Sequence, residues 1–213
     1  MNLQFINDLQ EMINNDPEVN QKMKVVLVTN FNVTYSEYIY PAADISEQIS
    51  MAGTEASGTG NMKMMMNGAV TIGTLDGANI EIVDAAGEEN NYIFGATVDV
   101  LNGIQQSYNH EKFLNENSDL KNLIKYLKGE RPGLRHVYWR LANELEHVDT
   151  YKVMYDLRPY IDITLLANSH YAEERRTGDL NLFTKKQFIN TASSGRFSSD
   201  RTIQEYAENI WHI

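Results

Sequence analysis

The 213-residue chain contains no cysteine, which removes disulfides, thiolate chemistry and cysteine-ligated metal sites at once. That absence is compatible with a cytoplasmic setting. No stretch approaches about 18 consecutive apolar residues, and the start, Met1-Asn2-Leu3-Gln4-Phe5-Ile6-Asn7-Asp8, has no basic region leading into an apolar core. The sequence therefore predicts no membrane span and no export signal. Paired histidines are missing as well. His110, His136, His147, His170 and His212 are widely separated and no H-E-x-x-H pairing occurs, so no metal site is expected and the five read as surface or packing residues. Positive charge is scarce: 18 Lys and Arg stand against 29 Asp and Glu, for a net charge of −11. The basic residues form no patch, and such an acidic chain is a poor match for a phosphate backbone, so no nucleic-acid partner is expected. There is no internal repeat, no low-complexity tract and no linker long enough to separate independent domains.

The first half shows β/α alternation. Phe5, Ile6, Leu9, Met12 and Ile13 give a helical stripe that Asn14-Asn15-Asp16-Pro17 ends. Val25-Val26-Leu27-Val28 is a β-branched and aliphatic run of the kind buried on both faces of a parallel sheet. A short helix is expected near Thr34–Tyr40, ahead of Pro41, and strands at Ile45–Ser50, Val70–Thr74 and Tyr92–Gly95. Asp76-Gly77 is expected to open a helix with an acidic residue at its favourable end. This reads as an α/β fold built on part of a Rossmann-like parallel sheet, at residues 1–96. Residues 97–213 read as a helical C-terminal region packed on the same domain. Its stripes are Leu120, Leu123, Ile124 and Leu127, then Ile203, Tyr206, Ala207, Ile210 and Trp211. Gly129-Glu130-Arg131-Pro132-Gly133 is a loop, and Glu173-Glu174-Arg175-Arg176 reads as a solvated helix end.

Chemistry concentrates at Glu55-Ala56-Ser57-Gly58-Thr59-Gly60-Asn61-Met62-Lys63-Met64-Met65-Met66-Asn67, a glycine-rich turn before a helix with one lysine among four methionines. Amides freed by Gly58 and Gly60, at the positive end of that helix, favour an anion. Lys63 lies about one turn in, and apolar neighbours would bias its amine toward the neutral, nucleophilic form. A phosphate and a covalently held aldehyde, the two features of pyridoxal phosphate, could be accommodated together. The same residues allow a plainer reading. Met62, Met65, Met66 and Ala69 fall at i, i+3, i+4 and i+7, which is the pattern of a buried helix face.

The run Ser46-Glu47-Gln48-Ile49-Ser50, Gly53 through Lys63, Asn67-Gly68-Ala69, Thr71 through Glu81, Gly87-Glu88-Glu89-Asn90 and Ile93-Phe94-Gly95 resembles the cofactor segment of the glycogen and maltodextrin (α-glucan) phosphorylases. The likeness returns at Ser194 through Ile203 and Ile210-Trp211, and is weaker between Gly129 and Asp179. The resemblance implies a GT-B type Rossmann-like domain and a pyridoxal phosphate-dependent glycosyltransferase. In that family inorganic phosphate cleaves the terminal α-1,4 glucosyl unit of a glucan and yields glucose 1-phosphate. It further implies that Lys63 holds the cofactor as a Schiff base and that Thr59, Gly60 and Gly58 line its phosphate. Glu55, Ala56, Ser57 and Gly58 would line the glucosyl site. Glu55 fits hydroxyl binding better than acid catalysis, because hydrolytic glycosidases use two flanking carboxylates and no second one is identifiable. Phe31 stands where the family commonly has a tyrosine. The resemblance covers only the C-terminal part of the family's catalytic chain, whose substrate-phosphate residues and other sugar-site residues lie upstream. The expectation is a cofactor-bearing segment inactive alone; the alternative is a non-catalytic remnant that at most binds pyridoxal phosphate or pairs with another chain. α-1,4-Glucan and phosphate are the expected partners of the complete enzyme. A cut sheet edge further predicts a homo-oligomer or pairing with an N-terminal partner segment.

Overall fold

A computed structural model of the chain describes residues 2–213. In chain order its helices begin with α1 (Asn2–Asn15), α2 (Val33–Ile39), α3 (Gly60–Met66), α4 (Asn79–Ala86), α5 (Val98–Ile104) and α6 (His110–Glu116). They continue with α7 (Ser118–Leu127), α8 (Trp139–His147), α9 (Val153–Thr177), α10 (Thr184–Ser193) and α11 (Ser199–Tyr206). The strands are β1 (Ile45–Gln48), β2 (Val70–Gly73) and β3 (Tyr92–Ile93). They form one parallel sheet in the order β1-β2-β3, with Ile45 opposite Val70 and Ile72 opposite Tyr92. The fold is α/β, as the alternating pattern requires.

The residues group into two compact units, one running up to Asn32 and resuming at Ser107–Tyr155, the other comprising Val33–Gln106 and Asp156–Ile213. In the second unit β2 is buried along its whole length. Val70 and Ile72 pack with Tyr92, Phe94, Ala167 and Phe183, bringing α9 and the start of α10 onto one face of the sheet. Full burial of side chains of this size stabilises by about 1.5–3 kcal/mol each. A second cluster joins Met65 of α3 to Ile82 and Ala86 of α4, with Ile189 and Phe197 against them. In the first unit Ile124, Leu127, Tyr138 and Ala142 form the core, with Phe5 of α1 packed on it. Asp8 is buried there and accepts from the Tyr138 hydroxyl at 2.8 Å and the His136 amide at 2.9 Å.

Several expectations fail, three of them away from the loops at the strand ends. Val25–Val28 forms no strand; its backbone groups are taken by side chains of α1, the Val25 amide and carbonyl by Asn14 and the Leu27 amide by Gln10. With hydrogen bonds met from a helix, and Val26 72 % exposed, the run lies along α1 and joins no sheet. The stripe Ile203, Tyr206, Ile210 and Trp211 is exposed, on α11 and the wider π-type turn Ala207–Trp211 that continues it. Glu174 is buried rather than solvated. Its carboxylate accepts from the Phe183 amide at 2.7 Å, the Thr184 amide at 2.8 Å and the Thr184 hydroxyl, closing the turn from α9 into α10.

Burial works against the Glu174 charge, but the hydrogen bonds from Thr184 and Phe183 outweigh it and hold the carboxyl below its ordinary 4.5. A carboxyl depressed on folding contributes stability that is complete above its unfolded value and fades as pH falls through the folded one. Glu174→Gln should therefore cost about 1–3 kcal/mol near neutrality, with the gap to the parent chain closing under acid. Urea melts of both chains from pH 7 downward test this; a gap that stays constant into strong acid would contradict the assignment.

Candidate functional site

The two loops that matter leave the carboxyl ends of adjacent parallel strands, the position at which open α/β sheets bind ligands. One runs from the end of β1 to α3 and contains Gly53 through Thr59. The other runs from the end of β2 to α4 and contains Thr74 through Ala78. Their backbones interlock. The Asp76 carboxylate, only 6 % exposed, accepts from the amides of Gly53 at 2.8 Å, Thr54 at 3.2 Å and Glu55 at 2.8 Å. The Ser57 carbonyl accepts from the Ala78 amide at 2.7 Å and from Asn61 Nδ2 at 3.3 Å.

Gly77 makes this approach possible. Its φ of +51° lies in the left-handed region, and a Cβ there would sit 2.7 Å from the Ser57 carbonyl oxygen and 3.0 Å from Glu55 Cγ. Beneath the loops Asn79 is a buried hub. Its Oδ1 accepts from Asn61 Nδ2 at 3.0 Å, while its Nδ2 donates to the Thr74 carbonyl at 3.0 Å and weakly to Gln48. Gly73 leaves room for that amide, since a Cβ would lie 2.9 Å from Asn79 Nδ2. Asp76 thus does not cap α4. The helix starts at Asn79 after Ala78, and the acid turns toward the neighbouring loop.

The predicted site residues Glu55, Ala56, Ser57, Gly58, Thr59, Gly60 and Lys63 all fall on this loop and the first turn of α3. Gly58 adopts φ +80°, and a Cβ there would press on the Asn61 side chain at 3.1 Å. At Gly60 a Cβ would meet nothing within 4 Å, so the helix start opens onto free space. The amides of Thr59 and Gly60 meet no acceptor among the described residues, as the first donors of a helix ordinarily do not. Helix α3 has only seven residues, so these oriented donors, more than a long macrodipole, favour an anion. It ends in a Schellman arrangement, Gly68 at φ +91° with its amide on Met65 and the Ala69 amide on Met64.

The expected apolar setting of Lys63 is not what α3 provides. Asn61 and Met65 are the buried residues of the helix, and Lys63, two positions from each, lies on the opposite, exposed face with Thr59 and Met66. Met66 is 37 % exposed, so the i, i+3, i+4, i+7 stripe is buried only at Met65 and Ala69. The geometry gives an outward-facing amine one turn from two free amides. A cleft of ≈ 320 Å³ adjoins the loop, lined by Ser57, Met62, Ala78, Glu81, Arg196 and Arg201 among others. Among the described residues no cluster of acids and histidines could hold a metal, and no helix is long and apolar enough to cross a membrane. Sequence reasoning did not assign Asp76 or Asn79 their roles; polar residues in a short loop directly after a wholly buried strand were the available signal.

The family model described as "Carbohydrate phosphorylase" matches residues 1–213. The chain is 41 % identical over 216 residues to the muscle form of glycogen phosphorylase from Macaca fascicularis, covering 100 % of this chain and 25 % of the relative. It is 40 % identical to the human muscle form over the same length. With a glycogen phosphorylase from Synechocystis sp. the identity is 40 % over 214 residues, 99 % of this chain and 24 % of the relative. The chain spans about a quarter of the length of the curated relatives it matches.

Gly77 and Gly60 should respond unequally to a methyl group. Gly77→Ala forces a left-handed alanine against Ser57 and should lower stability by about 1–3 kcal/mol, whereas Gly60→Ala at an open position should change it by less than about 1 kcal/mol. Thermal or urea unfolding of both variants decides this, and equal effects would refute the interlocked geometry.

Proposed function

The chain belongs to the carbohydrate phosphorylase family, and from that premise we propose that it is the cofactor-bearing segment of an α-glucan phosphorylase, in which phosphate cleaves an α-1,4-glucan to glucose 1-phosphate. The observation that carries this reading is an exposed Lys63 about one helical turn after two amides without acceptors, those of Thr59 and Gly60, on the loop that leaves a parallel strand's carboxyl end. The donor set and the open space at Gly60 fit pyridoxal 5′-phosphate. Thr59, Gly60 and Gly58 would receive its phosphate through backbone N–H groups, and the Lys63 amine would hold its aldehyde. When bound, the cofactor supplies a phosphate group able to exchange a proton with the substrate phosphate.

Glu55, Ala56, Ser57 and Gly58 present exposed or half-buried groups beside that position and would meet the hydroxyls of a glucosyl unit. Asp76 is not the second carboxylate of a hydrolase, because its oxygens are engaged by three amides; this supports hydroxyl binding for Glu55. Phosphorolysis also needs a positioned phosphate and a cleft closed to water. The exposure of Glu55 through Ser57 and of Lys63 supports the reading that this segment alone supplies neither and is inactive without a partner wall. The edge position of β1 and the exposed Ile203, Tyr206, Ile210 and Trp211 support pairing, either as a homo-oligomer or with an N-terminal partner segment.

Intact mass after pyridoxal phosphate and borohydride, with peptide mapping, tests the cofactor role. One adduct confined to Lys63 is expected, lost in Lys63→Ala while the fold persists. Labelling spread over the exposed lysines would reject the site. Light scattering over a wide concentration range should show a dimer or larger species, and a monomer throughout would rule out self-association.

A further inference from the structure

We propose that the site loop is held by two separable anchors, and that Asp76 is the positioning residue of the arm that faces the sugar; this rests on reading Glu55–Ser57 as the sugar loop. The upstream anchor is the Asp76 carboxylate on the amides of Gly53, Thr54 and Glu55, across 21 to 23 residues of sequence. The downstream anchor is the Ser57 carbonyl, held by the Ala78 amide and Asn61, with Asn61 held in turn by Asn79. Only Ala56 lies between the two clamped residues. The register in which Glu55 and Ser57 are presented is therefore set from both sides.

The chemistry of the upstream anchor is specific. Three N–H donors converge on one buried side chain, and an ionised carboxylate is an acceptor at both oxygens. An asparagine of the same shape would turn an NH₂ group toward at least one of those donors. The downstream anchor involves neutral amides alone and leads directly into Gly58, Thr59 and Gly60. Loss of the carboxylate should thus free the Gly53–Glu55 arm and leave the cofactor arm in place, while loss of Asn61 should do the reverse.

Residue-by-residue amide exchange by NMR, paired with pyridoxal phosphate and borohydride labelling, tests this in the whole chain. In Asp76→Asn the Gly53 and Glu55 amides should exchange roughly tenfold or more faster, with the β2 amides and Lys63 labelling as in the parent. In Asn61→Ala the Gly53 and Glu55 protection should persist and Lys63 labelling should fall. Exchange at Gly53 and Glu55 within about twofold of the parent in Asp76→Asn, or both variants loosening both arms together, would overturn the proposal. If Asp76→Asn does not fold, the same partition is read in Asp76→Glu, whose added methylene displaces the carboxylate without removing it. Faster exchange with labelling intact supports the proposal there, and labelling lost in step with protection refutes it. A parent chain that shows no Lys63-specific adduct would count against the cofactor reading alone, since the exchange comparison at Gly53 and Glu55 stands without it.

Discussion

Beyond the carboxyl end of β1 the chain leaves the sheet with amides that no strand pairs, and the buried Asp76 carboxylate takes three of them. The constraint is general: a buried charge must be hydrogen-bonded, or folding bears the cost of desolvating it. Here the Asp76 carboxylate, 6 % exposed, is met from the preceding strand's loop, so that the two loops at the sheet's end are tied together. Gly77 supplies the backbone shape, Ala78 closes on Ser57, and the Asn61–Asn79 pair carries the connection to the start of α3. The outward position of Lys63 follows, because fixing Asn61 and Met65 inward fixes Lys63 on the far side of the same helix.

The same device recurs through an acidic chain. Asp8 gathers the His136 amide and the Tyr138 hydroxyl, Asp149 the Val153 and Met154 amides, and Glu174 the amides of Phe183 and Thr184. Each is a buried acid acting as an acceptor. Burial opposes the charge on Asp8, yet bonds from Tyr138 and His136 hold its carboxyl below the usual range. Tyr138 responds in the other direction: burial first, then the bond to Asp8, pushes its hydroxyl up to about 12. Part of the chain's negative charge thus serves internal structure.

Most of the second unit's frame was legible. Strands were expected at Ile45–Ser50, Val70–Thr74 and Tyr92–Gly95, and the three parallel strands form within those spans. The runs that misled share a cause. Val25–Val28 has the composition of a buried strand, but a strand exists only where another strand offers it a ladder, and here Asn14 and Gln10 satisfy its backbone instead. Ile203, Tyr206, Ile210 and Trp211 have the spacing of a core-facing helix, yet the pattern states a preference for cover and does not supply it. Periodicity also placed Met62 and Met66 with Met65, where only Met65 is fully buried.

By itself the sequence determined the family, the glycine-rich turn and the distance of one helical turn between that turn and Lys63, because these depend on neighbours along the chain. Tertiary structure alone decided which of two nearby carboxylates is buried. Glu55 and Asp76 are both acidic residues close to glycines, and nothing local tells them apart. Only the folding together of two strand ends puts Asp76 inside, against three amides, and leaves Glu55 outside, where its side chain remains available. Hydrogen bonding between segments more than twenty residues apart is a property of the packed sheet, and it cannot be read from either segment alone.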